Sequence, residues 1–126
     1  MNRIASNLVC AMIFVLAPII GAAETMNVEI DYLLETVAES DCTFIRNGKE
    51  YAAIAARDHL QMKRERGRKY YESTEQFIDR IASKSSWSGK PYTIRCADTE
   101  ITASEWFTRA LTDFRAKNGD IAGLVH

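Results

Sequence analysis

Histidine is scarce in this chain: there are two among 126 residues, and only His59 is internal. That leaves too few ring nitrogens for a histidine-based metal centre, and the carboxylates show no EF-hand spacing, so no metal and no cofactor is implied. Cysteine occurs three times and never as Cys-x-x-Cys, which removes the usual redox pair. No Gly-x-Ser-x-Gly elbow or other catalytic signature is present. Charge of one sign is also lacking. The 16 basic side chains face 17 acidic ones, so the basic excess of a nucleic-acid-binding domain is absent and no nucleic-acid partner is expected. Past the N-terminus no stretch is apolar enough to span a membrane. Repeats and low-complexity segments are missing too. One small domain remains.

What is present begins with a leader. Arg3 precedes Leu8 to Ala17, an unbroken apolar run of ten residues. Pro18 interrupts it, and Gly21-Ala22-Ala23 supplies small residues before Glu24. This pattern describes a secretory signal peptide over residues 1–23, cleaved after Ala23. A membrane anchor would need about 20 apolar residues. Cys10 lies inside the apolar run rather than after small residues at its end, which argues against lipidation. The expected location is therefore periplasmic or secreted, with residues 24–126 forming the folded domain. Cleavage removes Cys10 and leaves Cys42 and Cys96. In an oxidising compartment an even pair favours a disulfide.

Along the domain, Ile30, Leu33, Leu34 and Val37 recur at helical spacing and predict a helix over residues 27–39, with Asn27 as its N-cap. Thr43 to Arg46 reads as a strand. Asn47-Gly48 is a hairpin signal, because both centres of a type I′ turn need positive φ, so Lys49 to Tyr51 can return as a second strand. An alanine-rich helix follows over 52–66, with Ala52, Ala55, Ala56, His59, Met62 and Lys63 sharing a face. It ends in the cationic run Lys63 to Lys69, with Gly67 as its stop. Ser73-x-x-Gln76 is a capping box opening a third helix with Phe77, Ile78 and Ile81 inward. Tyr92, Ile94 and Cys96 alternate as a strand. Antiparallel pairing of Cys42 with Cys96 also sets Phe44 opposite Ile94 and Arg46 opposite Tyr92. A parallel alternative puts the cysteines about 13 Å apart, beyond bonding reach. Thr102 and Glu105 cap a last helix carrying Trp106, Phe107, Ala110, Leu111 and Phe114, with Gly119 ending it. The fold class is α+β and mostly helical: four helices with a small antiparallel element of two or three strands and one disulfide.

Several of these stretches resemble the YfeK-like family of small exported bacterial proteins. They are Phe44-Ile45-Arg46-Asn47-Gly48, His59-Leu60 with Lys63, Glu75-Gln76-Phe77-Ile78, Ile81 to Ser86 and Ser88-Gly89-Lys90-Pro91-Tyr92. The resemblance spans most of the domain. It implies an exported, periplasmic protein and a shared fold, and it supplies no activity to transfer.

Binding residues accumulate between Ser83 and Cys96, where helical spacing stops. Arg46, Asn47, His59, Lys63, Ser86, Trp87, Ser88, Lys90 and Tyr92 form the candidate surface. Lys63 one turn from His59 should hold the imidazole neutral, and with Arg46, Lys90 and the hydroxyls it could bind an anion or a glycan. The plainer reading is a half-buried histidine hydrogen-bonded to a loop, with solvated cations and turn-forming serines. Trp87 either covers the core or stands in a loop as an anchor for a partner. The first functional reading is a non-enzymatic envelope binding module, its partner an envelope protein or an anionic or glycan ligand. The alternative is a small envelope hydrolase using Ser86 or Ser88 with His59, although Asp58 adjoins His59 on the helix and cannot orient its ring. The cationic run is either a solvated helix end or a contact to anionic polymers.

Overall fold

The computed structural model describes residues 21–123, with side chains described through Gly119. The leader assigned above, residues 1–23, lies outside the described residues except for its last three. Among the described residues no helix is long and apolar enough to cross a membrane.

Helix α1 (Ala22–Glu39) buries Ile30, Leu33, Leu34 and Val37, the expected stripe. It starts earlier than Asn27, behind Gly21, because nothing between Ala22 and Asn27 breaks a helix. Asn27 therefore sits inside the helix rather than capping it. Strands β1 (Thr43–Arg46) and β2 (Lys49–Tyr51) form the expected hairpin, with Asn47 at φ 50° and Gly48 at φ 77°. Helix α2 (Ala53–Arg66) buries Ala53, Ala56, Leu60 and Lys63. The inward stripe is thus rotated from the one read in the sequence, and Ala52, Ala55 and Met62 face outward.

A 3₁₀ turn (Arg68–Tyr70) leads to the short helix α3 (Thr74–Phe77), which runs directly into a π turn over Ile78–Ala82. The capping box holds, since Ser73 Oγ accepts from Gln76 N at 3.1 Å. Gln76 Oε1 accepts from Glu72 N at 2.8 Å. Strands β3 (Thr93–Cys96) and β4 (Thr99–Thr102) form a second hairpin, and α4 (Ala103–Gly123) closes the chain. Thr102 Oγ1 accepts from Glu105 N at 3.2 Å, as its capping box requires. Gly119 lies within α4 and does not end it.

The sheet has four strands in the order β2-β1-β3-β4, all antiparallel, rather than two or three. β1 and β3 pair in the expected register, with Phe44 opposite Ile94. Cys42 and Cys96 stand directly opposite, bonded, with Cα atoms 4.5 Å apart. Side chains two apart share a face, so this face carries Cys42 and Cys96 at one end and Phe44 and Ile94 in the middle. Phe44 and Ile94 pack into the core with Ile30, Leu33, Phe77 and Phe107. A buried carboxylate adds a polar tie between helices. Glu29 accepts from Thr74 Oγ1 at 2.6 Å and from Arg115 Nε at 2.6 Å, joining α1 to α3 and α4. Arg115 holds its carboxyl below the usual glutamate range despite burial.

The disulfide closes a separation of 54 residues, for which chain entropy gives a stabilisation of about 4 kcal/mol, with real values often lower. Replacing both cysteines by alanine should therefore lower the unfolding free energy by about 2–4 kcal/mol in urea denaturation. An unchanged midpoint would contradict this account of the staple.

Candidate functional site

The β1–β3 register has a consequence at the other end of the shared face. Continued past Ile45 opposite Thr93, it sets Arg46 beside Tyr92. Residue His59 and, one turn later, Lys63 come up from α2 against the same place. Tyr92 accepts from Lys63 Nζ at 3.0 Å and lies edge-on to His59, with ring centroids 6.5 Å apart. Lys63 Nζ also donates to the Lys84 carbonyl at 2.6 Å. Arg46 lies over the Tyr51 ring at 4.6 Å and donates from Nη2 to Tyr51 Oη at 2.9 Å. Its Nη1 meets the His59 ring, at 2.9 Å from Nδ1 and also within reach of Nε2. Only one ring nitrogen can accept in the neutral tautomer.

Arg46, His59, Lys63 and Tyr92 form the floor of an open groove of about 1210 Å³. The end of α2 and the 3₁₀ and π turns make one wall through Arg66, Lys69, Tyr70 and Arg80. The loop between Ser83 and Tyr92 makes the other. Gly67 lies at the junction for reasons of space: a Cβ there would meet Ile81 Cδ1 at 2.6 Å and the Lys63 carbonyl at 2.9 Å. Its φ of −94° is not left-handed, so close approach rather than a C-terminal helix stop calls for glycine.

The loop is an ordered hairpin. Lys84 bridges Pro91, Ser85 N donates to Lys90 O at 3.0 Å and Tyr92 N donates to Ser83 O at 2.8 Å. Ser85 Oγ accepts from Trp87 N and Ser88 N. Asn47 fastens this loop to the first hairpin, donating to Ser85 Oγ at 3.3 Å and accepting from Ser88 Oγ at 2.7 Å. Trp87 stands at the tip, 92% exposed. It does not cover the core.

The pairing of arginines distinguishes the groove from the rest of the described surface. Among the described residues, Arg57, Arg64, Arg68, Arg95, Arg109 and Arg115 all form ion pairs with carboxylates. The three remaining arginines, Arg46, Arg66 and Arg80, line the groove, together with Lys63, Lys69 and Lys84. None of these six cations meets a carboxylate within ion-pair distance among the described residues, and Glu72 is the one acidic residue lining the groove. The consequences are strongest on the floor. Burial first, then Arg46 and Lys84, push Lys63 down from 10.5 to about 8. Burial first, then Arg46 and Lys63, push His59 down from 6.5 to about 4. Burial also raises the Tyr92 phenol.

Of the nine residues picked from sequence, Arg46, Asn47, His59, Lys63, Ser86, Trp87 and Tyr92 line this groove. Ser88 and Lys90 do not: their backbone and hydroxyl bonds shape the loop, and the Lys90 side chain points to solvent. The cationic run divides. Arg64 pairs with Asp31 and Arg68 with Glu65, while Arg66 and Lys69 turn into the groove. Arg80 and Lys84 went unnoticed in sequence, each being a single cation with no pattern around it.

Most of the folded region also matches a family model. Residues 24–115 match the family of unknown function DUF5329. The chain belongs to this family. It is 37% identical over 89 residues to the uncharacterized protein YfeK of Salmonella typhimurium, covering 68% of this chain and 74% of that one. No solved structure matches.

Within the DUF5329 chain described here, neither Ser86 nor Ser88 hydrogen-bonds to His59, and Asp58 bonds Arg57 instead of the imidazole. The ring's acceptor lone pair faces Arg46. A histidine so placed is a poor base near neutrality. Followed by NMR, His59 should stay neutral until the pH falls towards 4. A midpoint near the unperturbed 6.5 would mean that the Arg46–His59–Lys63 cluster is not assembled in solution.

Proposed function

We propose that this protein is an exported, non-enzymatic binding module that takes an anionic ligand into the groove between the 3₁₀–π wall and the Ser83–Tyr92 loop. The N-terminal leader pattern and the Cys42–Cys96 disulfide support a periplasmic place of work. The observation that carries the ligand class is the pairing pattern. Arginines elsewhere on the described surface are neutralised by carboxylates, and the three that are not converge in one concavity. Burial first, and then the neighbouring cations Arg46 and Lys84, impose a cost on charged Lys63. An anion in the groove relieves it.

The floor gives the anion defined partners. Lys63 has three ammonium donors, of which Lys84 O and Tyr92 Oη take two. Arg46 presents a planar guanidinium suited to carboxylate or phosphate oxygens. His59, neutral, keeps Arg46 in place as an acceptor and adds no competing charge.

The sign of the pH dependence follows. The ligand requires protonated Lys63, and Lys63 in the empty groove loses its proton near pH 8. Affinity for trimetaphosphate, whose charge is constant in this range, should hold from pH 6 to 7.5 and fall as the pH passes 8. At pH 7 the double change Arg66→Ala, Lys69→Ala should weaken binding at least tenfold by calorimetry, about 1.4 kcal/mol. The double change Lys49→Ala, Lys117→Ala, away from the groove, should leave it unaltered. No binding by the intact protein, or equal losses in both variants, would overturn the anion-groove reading.

A further inference from the structure

The groove is bordered by aromatics as well as cations, and this narrows the ligand. Trp87 is the most exposed large apolar side chain among the described residues, at 92%, and Tyr70 on the facing wall is 57% exposed. Lys69 lies over the Tyr70 ring at 5.1 Å. An indole shown so fully to water is normally costly, since burial of a large aromatic is a major source of stability. Here the backbone that displays it is held firmly. Ser85 Oγ ties down Trp87 N and Ser88 N, Gly89 N donates to Ser85 O at 2.9 Å, and Asn47 clamps both serines. A rigid platform with few side-chain torsions to freeze is what an aromatic anchor needs.

Building on the anion-groove reading, we propose that the ligand is an acidic oligosaccharide. The apolar face of one sugar ring stacks on Trp87, and a carboxylate or phosphate further along the chain reaches Arg46 and Lys63 on the floor and Lys84 on the loop wall. A saccharide offers both features on one slender chain: ring faces rich in C–H groups and anionic substituents at intervals. The Ser86 hydroxyl beside Trp87 makes no hydrogen bond among the described residues and suits the ring's own hydroxyls. A lipid surface fits less well, because Lys63 is only 8% exposed at the bottom of a concavity and a planar array of headgroups cannot reach it. A nucleic-acid strand has stacking faces and phosphates, but a chain with 17 acidic against 16 basic groups lacks the long-range attraction such a polyanion needs.

The test is calorimetry and tryptophan emission on the full folded domain with octagalacturonate, one carboxylate per ring, beside trimetaphosphate. The intact protein should bind octagalacturonate with a shift in emission. Trp87→Ala, which removes an exposed side chain and leaves the fold intact, should weaken octagalacturonate roughly tenfold (about 1.4 kcal/mol) and trimetaphosphate less than twofold. Trp87→Phe should fall between. If octagalacturonate binds no better than trimetaphosphate, or Trp87→Ala changes both alike, the saccharide proposal fails while the anion groove stands. If neither probe binds, both fail. Tighter, Trp87-dependent binding of an eight-residue oligothymidylate or of phosphatidylglycerol vesicles would also overturn the saccharide in favour of those classes.

Discussion

The antiparallel register between β1 and β3 is the constraint on which the rest of the structure depends. It lays three rows along one face of the sheet: the Cys42–Cys96 bond, the Phe44 and Ile94 pair in the core, and Arg46 beside Tyr92 at the groove. A slip of one residue would turn every side chain to the opposite face. It would expose Phe44, separate the cysteines and remove Arg46 from His59. One covalent bond and one apolar pair therefore hold the position of the charged group at the far end of the face.

Electrostatics then sets the tension between stability and use. Lys63 is buried without a counter-ion, donating its hydrogen bonds to a carbonyl and a phenol, and Arg46 crowds a neutral imidazole. Such an arrangement is unfavourable on its own, and folded proteins tolerate it where a site requires it. Elsewhere the same chain pairs its arginines with carboxylates, down to the buried Glu29 that fastens Arg115 across three helices. The contrast lies within one molecule and does not depend on its overall charge, which nearly cancels.

Much of this was legible because local chemistry and tertiary structure agree. Asn47-Gly48 favours positive φ and forms the turn; Ser73 and Thr102 cap the helices that they precede. The register followed from the Cys42–Cys96 pair together with the alternation of the strands that carry it. What escaped was written in no local pattern. The second hairpin turns at Ala97, at φ 52°, where alanine announces no left-handed conformation, so nothing in the sequence signals β4. The stripe of α2 was misjudged because alanine packs inward or outward at little cost. In the site, seven of nine residues were found through the Ser83–Tyr92 loop and the neighbours of His59. Arg80 was not, because a π turn changes which way side chains point and periodicity cannot anticipate it, and Lys84 was not, because a single cation among serines makes no pattern.

The central claim is that the register-built floor is where this protein holds negative charge. The most direct measurement is a crystal of the oxidised protein soaked in iodide, with the anions located by their anomalous scattering. The account predicts the strongest site on the groove floor, between the Lys63 ammonium, Arg46 and Lys84. Iodide spread over Lys49, Lys90 and Lys117 with none on the floor would contradict it.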